Sequence, residues 1–147
     1  MKKILLVVGS DNGLYEEEFK KQLKGSELGE RYTIEPIYSK LFEGYSPNAI
    51  KAIGTDKDIV AIVVADWFWD VVKFVRENGL YRTVIVLGTT VSSRLVEAVN
   101  LRVDRWIVRG CVEFYDRQKA VTDFDEEAVC FRPSIDREVK EIIDCLS

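Results

Sequence analysis

Five short aliphatic runs, with helix-period segments between them, constrain this chain more than any other feature. They are Lys3–Val8, Tyr32–Ile37, Ile59–Ala65, Thr83–Leu87 and Arg105–Val108. The first and third are continuously apolar, as a strand buried on both faces must be. Strands that alternate with helices build repeated β-α-β units, and right-handed crossovers then make the sheet parallel. The expected fold is therefore α/β, a doubly wound, mostly parallel sheet of five strands in the order 2-1-3-4-5, over residues 1–147 as one domain.

The intervening segments read as helices by phase and by their ends. After the first strand Asp11 or Asn12 offers a cap, and Tyr15, Phe19 and Leu23 fall four apart on one face. On that reading Glu16–Lys20 and Glu17–Lys21 pair on the outside, and Gly25 ends the helix. Ser46-Pro47 opens a short helix that closes near Gly54, while Asp66 caps one whose core face is Phe68, Val71, Val72 and Val75. A fourth helix begins among Thr90, Ser92 and Ser93 and buries Leu95, Val96 and Val99. Pro133-Ser134 opens the last, with Ile135, Val139, Ile142, Ile143 and Leu146 on one stripe. Between Cys111 and Arg132 the halves Lys119–Thr122 and Ala128–Phe131 alternate weakly, which suits a hairpin or an extra edge strand.

Composition removes several classes of function. There is no histidine, so His-dependent triads, His metal ligation and phosphohistidine chemistry are excluded. A net charge of −4 with interleaved signs, as in Arg102-Val103-Asp104-Arg105, argues against nucleic acid as a partner. No apolar run is long enough for a membrane span, and the run after Met1-Lys2-Lys3 is too short for a signal peptide and lacks a cleavage site. The three cysteines, Cys111, Cys130 and Cys145, have no Cys-x-x-Cys spacing and suit a reducing compartment. The expectation is a cytoplasmic protein beginning at residue 1. Neither a dinucleotide-binding glycine loop nor a P-loop is present.

In sheets of this kind ligands lie beyond the carboxyl ends of the strands. The candidate polar site there comprises Gly9, Ser10, Asp11, Asp66, Thr89, Thr90 and Arg109, although turns and caps use the same residue types. Leu5-Leu6-Val7-Val8-Gly9-Ser10-Asp11, Thr83–Thr89 and Val103-Asp104-Arg105-Trp106-Ile107-Val108-Arg109-Gly110 resemble the first, fourth and fifth strands of the receiver domains of two-component response regulators. The resemblance spans about residues 1–110 and puts Trp106 at the family's aromatic position and Arg109-Gly110 where the family has Lys-Pro. It implies an aspartyl phosphoacceptor, whose position falls on Asp66 with a shortened following loop or on Val63 without a gap. It also implies a hydroxyl residue, whose position falls on Thr89 after a one-residue shift or otherwise on Gly88, and an acidic pair holding Mg²⁺ after the first strand. Gly9-Ser10 stand at that pair and leave Asp11, so the phosphorylation site is expected to be degenerate. Asp11 and Asp66 are the two carboxylates that a divalent ion would use.

No cofactor is expected. FMN is the alternative to Mg²⁺, because flavodoxins share this sheet and Trp67 and Trp69 follow the third strand where a stacking ring would serve. Residues two apart on a helix lie about 200° apart, so at least one indole should face outwards. Together with Phe42 and Tyr45 of the loop Tyr38–Tyr45, Trp67 and Trp69 form the candidate contact surface. The expected function is a receiver-like regulatory domain acting by binding, through a protein partner or self-association, with a small anionic ligand as a further option. A small flavodoxin-like carrier or enzyme using the strand-end cavity is the competing class.

Overall fold

The computed structural model describes residues 1–8, 13–36, 53–78, 82–88, 94–109 and 124–147. In chain order the elements are β1 (Lys3–Val7), α1 (Gly13–Gly25), α2 (Glu27–Arg31), β2 (Thr33–Pro36) and β3 (Ile59–Ala65), then a 3₁₀ turn (Asp66–Phe68) leading into α3 (Trp69–Glu77). β4 (Thr83–Gly88), α4 (Arg94–Asn100), β5 (Arg105–Val108) and α5 (Phe124–Leu146) complete them. The sheet runs β2-β1-β3-β4-β5 and every pairing is parallel, as expected from the helical crossovers. The strand boundaries agree with the runs to within a residue or two. The central β1, β3 and β4, covered on both faces, are apolar almost throughout, whereas the edge strand β2 alternates exposed Thr33 and Glu35 with buried Ile34.

Alternate residues of the strands feed two cores. On one face Ile4, Leu6, Ala61, Val63, Ile85, Leu87 and Ile107 pack against Phe19 and Leu23 of α1 and Ile135, Val139 and Ile142 of α5. On the other, Leu5, Val7, Ile62, Val64, Val84 and Val86 meet Val71, Val72 and Val75 of α3 and Ala98 of α4. α2 starts where the Ser26 hydroxyl accepts from the Leu28 N–H, and Gly29 is obligatory there because a Cβ would sit 1.8 Å from the Lys24 carbonyl oxygen.

Four local readings are corrected. Glu16 does not lie outside with Lys20; it is fully buried, and Lys20 pairs with Glu17 at 3.5 Å. In α4 the buried residue is Ala98, while Val96 and Val99 are 70 % and 78 % exposed. A helix carrying Leu95, Val96 and Val99 has two possible inner faces, and the small Ala98 lets the one it lies on approach the sheet closely.

Asp66 makes no side-chain cap, since a 3₁₀ turn stands between β3 and α3. Finally, α5 begins at Phe124 and includes Ala128–Phe131, so that stretch is helix and not part of a hairpin or edge strand. The Lys119–Thr122 half lies outside the described residues, as do Ser46-Pro47.

Candidate functional site

At the carboxyl end of β5 the chain turns inwards with Arg109. Its backbone N–H donates to the Gly88 carbonyl at 2.9 Å, which fixes it beside the end of β4. The guanidinium then enters the space between α1 and α5. Nη1 lies 2.5 Å from Glu16 Oε1, and Nε donates to Glu138 Oε1 at 2.8 Å. The three side chains are 3 %, 1 % and 0 % exposed respectively, so this is a buried ionic triad and not a surface pair. The Phe19 ring lies under the guanidinium, 4.9 Å from its centroid to Cζ, and adds a cation–π contact. Arg137 of α5 completes the attachment by donating to the Val108 carbonyl.

The triad's electrostatics are uneven. The close approach of Glu16 to Arg109 is a charge contact, and among the described residues neither Glu16 carboxyl oxygen accepts an aligned hydrogen bond. Burial therefore dominates and pushes the Glu16 carboxyl up to about 7, against the attraction of Arg109, which lowers it. Glu138 raises it further.

The sequence reading places Glu16 on the outside with Lys20 and passes over Glu138, although the signal for both is there. Glu16 falls three residues before Phe19, and Glu138 lies three after Ile135 and four before Ile142. Both occupy stripe positions facing the core, where a charge needs a buried partner.

The remaining candidates separate. Asp66 is half-buried at the end of β3, and its backbone carbonyl accepts from the Arg94 guanidinium. Gly9, Ser10, Asp11, Thr89 and Thr90 lie outside the described residues, and so do Phe42, Tyr45 and the Trp67 side chain.

Trp69 does not belong to an exposed contact surface. It is 5 % exposed, and its indole N–H donates to Glu97 Oε2 at 2.6 Å. Its ring stands 6.3 Å from that of Trp106, tilted by 58°. The 3₁₀ turn resets the helical phase, so Trp69 rather than Phe68 opens the buried face of α3. Gly88 makes this cluster possible, because a Cβ there would lie 2.2 Å from Trp106 Cζ2.

No group of three or more Cys, Asp or Glu side chains among the described residues is placed to hold a metal ion. Of the proposed ion-binding carboxylates, Asp66 lies among the described residues and Asp11 outside them. No helix among the described residues is long and apolar enough to cross a membrane. Of the cysteines, Cys145 is a half-buried free thiol whose pKa burial raises.

The five-stranded parallel sheet in this order, wrapped by helices on both faces, is the flavodoxin-like fold. Within it, solved structures that resemble the chain include receiver domains. The signal receiver domain of a putative LuxO repressor protein from Vibrio parahaemolyticus is 15 % identical with a TM-score of 0.51, over 97 % of this chain and 98 % of that one. A DNA-binding response regulator of the LuxR family from Staphylococcus aureus is 13 % identical with a TM-score of 0.55, over 100 % of both chains. The E. coli constitutive lysine decarboxylase is also similar, at 16 % identity and a TM-score of 0.55, over 97 % of this chain but 18 % of that one. No family model and no curated protein matches the sequence. The chain thus has the fold of response-regulator receiver domains, which the resemblance of its strands implied.

Proposed function

We propose that the protein is a receiver-like signalling module that acts by binding a protein partner or a small ligand, and not by standard aspartyl phosphorylation. The observation that carries this reading is the engagement of Arg109. The residue that stands where receiver domains have their strand-end lysine is buried, with Glu16 and Glu138 on its guanidinium. A phosphoryl group on Asp66 needs a cation nearby to offset its charge. This cation already faces two carboxylates on the helical side of the sheet. The sequence adds that Gly9-Ser10 stand where an acidic pair would hold Mg²⁺. On this reading neither Mg²⁺ nor FMN is needed.

The test is treatment of the purified chain with acetyl phosphate and Mg²⁺, followed by intact-mass measurement. The expected result is an unmodified mass throughout the time course. A single phosphoryl adduct that disappears in Asp66→Asn would overturn the reading, because it would show a working phosphoacceptor.

A further inference from the structure

At the opposite end of the sheet from Asp66 and Arg109, a cleft of about 530 Å³ opens where α3 and α4 end and β4 begins. Its walls carry three guanidinium groups, Arg76, Arg82 and Arg102, against one carboxylate, Asp104, with Thr83 and Leu101 between them.

Asp104 is engaged through one carboxyl oxygen. Its Oδ2 accepts from Arg76 Nη2 at 2.8 Å and from the Val84 N–H at 2.7 Å. Arg76 also donates to the carbonyls of Arg82 and Arg102, so it serves as the strut that holds the two loops of the cleft. That leaves Arg82 and Arg102, and no ion pair among the described residues holds either one. Arg82 is half-buried, and its Nη1 is enclosed without a hydrogen-bond partner. Asp56 feels the charge of Arg82, but that carboxylate is bonded to Lys3 at 3.0 Å.

Arg102 carries the second signal. α4 ends in a Schellman arrangement, with the Val103 N–H on the Ala98 carbonyl and the Arg102 N–H on the Val99 carbonyl. The residue between must be left-handed, and Arg102 is, at φ 56°; it is the one non-glycine residue among those described with a positive φ. Glycine is the usual occupant of that position because a Cβ is strained there. Capping needs only the backbone, so the arginine side chain is not explained by the turn. It sets a guanidinium at the rim of a cleft that already holds an unsatisfied one.

We propose that this cleft binds a small multivalent oxyanion, a phosphate ester or a polycarboxylate, through Arg82 and Arg102, with Leu101 as the apolar wall. Guanidinium groups recognise both anions by the same forked, charge-assisted hydrogen bonds. A volume of about 530 Å³ is in the range of small-molecule sites. The proposal is independent of the reading of the Asp66 end, since no residue is shared.

The experiment is an amide-resolved NMR titration of the full chain with pyrophosphate and, separately, citrate at low ionic strength, with sodium chloride at matched ionic strength as the reference. Saturable shifts centred on Thr83, Val84, Leu101 and Val103 are expected, and the tighter of the two probes identifies the anion class. Arg82→Gln should weaken binding about tenfold or more, as loss of a charged hydrogen bond does. Arg102→Gly should weaken it similarly while leaving the Tm equal or higher, because glycine relieves the left-handed strain, so a binding loss there is not a folding loss. Shifts that fail to saturate, that are reproduced by chloride, or that persist unchanged in Arg102→Gly would overturn the proposal.

Discussion

Replacing Arg109 with methionine removes the positive member of the buried triad and leaves a side chain of similar length. Glu16 and Glu138 then remain buried with no guanidinium between them. Breaking a buried ion pair from one side costs about 3–5 kcal/mol, because a charge is left without compensation. For a domain of this size one kcal/mol moves Tm by about 2–4 °C, so a fall of roughly 6–20 °C is expected at pH 8.

The pH dependence is the more discriminating readout. Glu16 titrates near 7 in the fold and near 4.5 unfolded, so its contribution is fully present below about 4.5 and is lost as the pH rises to 7. That difference amounts to about 3 kcal/mol in the native protein. In Arg109→Met the attraction that holds Glu16 down is gone and Glu138 loses its donor as well. Glu16 then stays protonated to higher pH, and the gap between variant and native protein should widen from pH 5 to pH 8. Urea unfolding followed by circular dichroism at both pH values measures it. A loss below about 1 kcal/mol at pH 8, or an equal loss at the two pH values, would refute the claim that the triad is buried and charge-balanced by Arg109.

Glu16→Gln should flatten the stability profile between pH 4.5 and 7, since it removes the group that titrates there; an unchanged slope in urea midpoints would assign that titration elsewhere. Gly88→Ala drives a methyl into the Trp106 ring and should cost about 1–3 kcal/mol with altered tryptophan fluorescence; native stability and an unchanged spectrum would contradict the close approach. Trp69→Phe keeps an aromatic ring but loses the pyrrole ring whose N–H donates to Glu97, so a loss of about 1–3 kcal/mol is expected, and a neutral result by thermal unfolding would count against the hydrogen bond. Val96→Lys should change stability by no more than about 0.5 kcal/mol, because that side chain is 70 % exposed; a core-sized loss would restore the inward-facing reading of α4.

What the sequence made legible follows from how each feature is encoded. A strand such as Ile59–Ala65 is buried on both faces, so every residue is apolar and the run announces itself. Helix phase is harder, as α4 illustrates. Leu95, Val96, Ala98 and Val99 supply apolar groups around much of the helix, and what decides the inner face is the fit of Ala98 to a sheet whose neighbouring residues lie far away in sequence. The start of α5 was obscured by Pro133, whose usual place is the first helical turn. Its position inside the helix goes with a packed stripe from Ile135 to Ile142 further along.

The site was the least legible part. Arg109 was singled out as a strand-end cation, but its direction depends on Glu16 and Glu138, which come from the two ends of the chain. Only the packing of α1 beside α5 brings those carboxylates together.

That long-range arrangement also bears on whether Arg109 can serve an anion at the strand ends. To do so it must leave both carboxylates in a dry setting, at a cost of about 3–5 kcal/mol. A new charged hydrogen bond to an anion returns about 1.5–3 kcal/mol. The balance favours the inward position, and an anion that needed this guanidinium would bind weakly unless Glu16 were first neutralised. Protonation of Glu16 below pH 7 removes one of the two opposing charges, while Glu138, with Nε at 2.8 Å, still holds the guanidinium. Arg109 is therefore better suited to fastening the carboxyl end of β5 to α1 and α5 than to neutralising an anion at the strand ends.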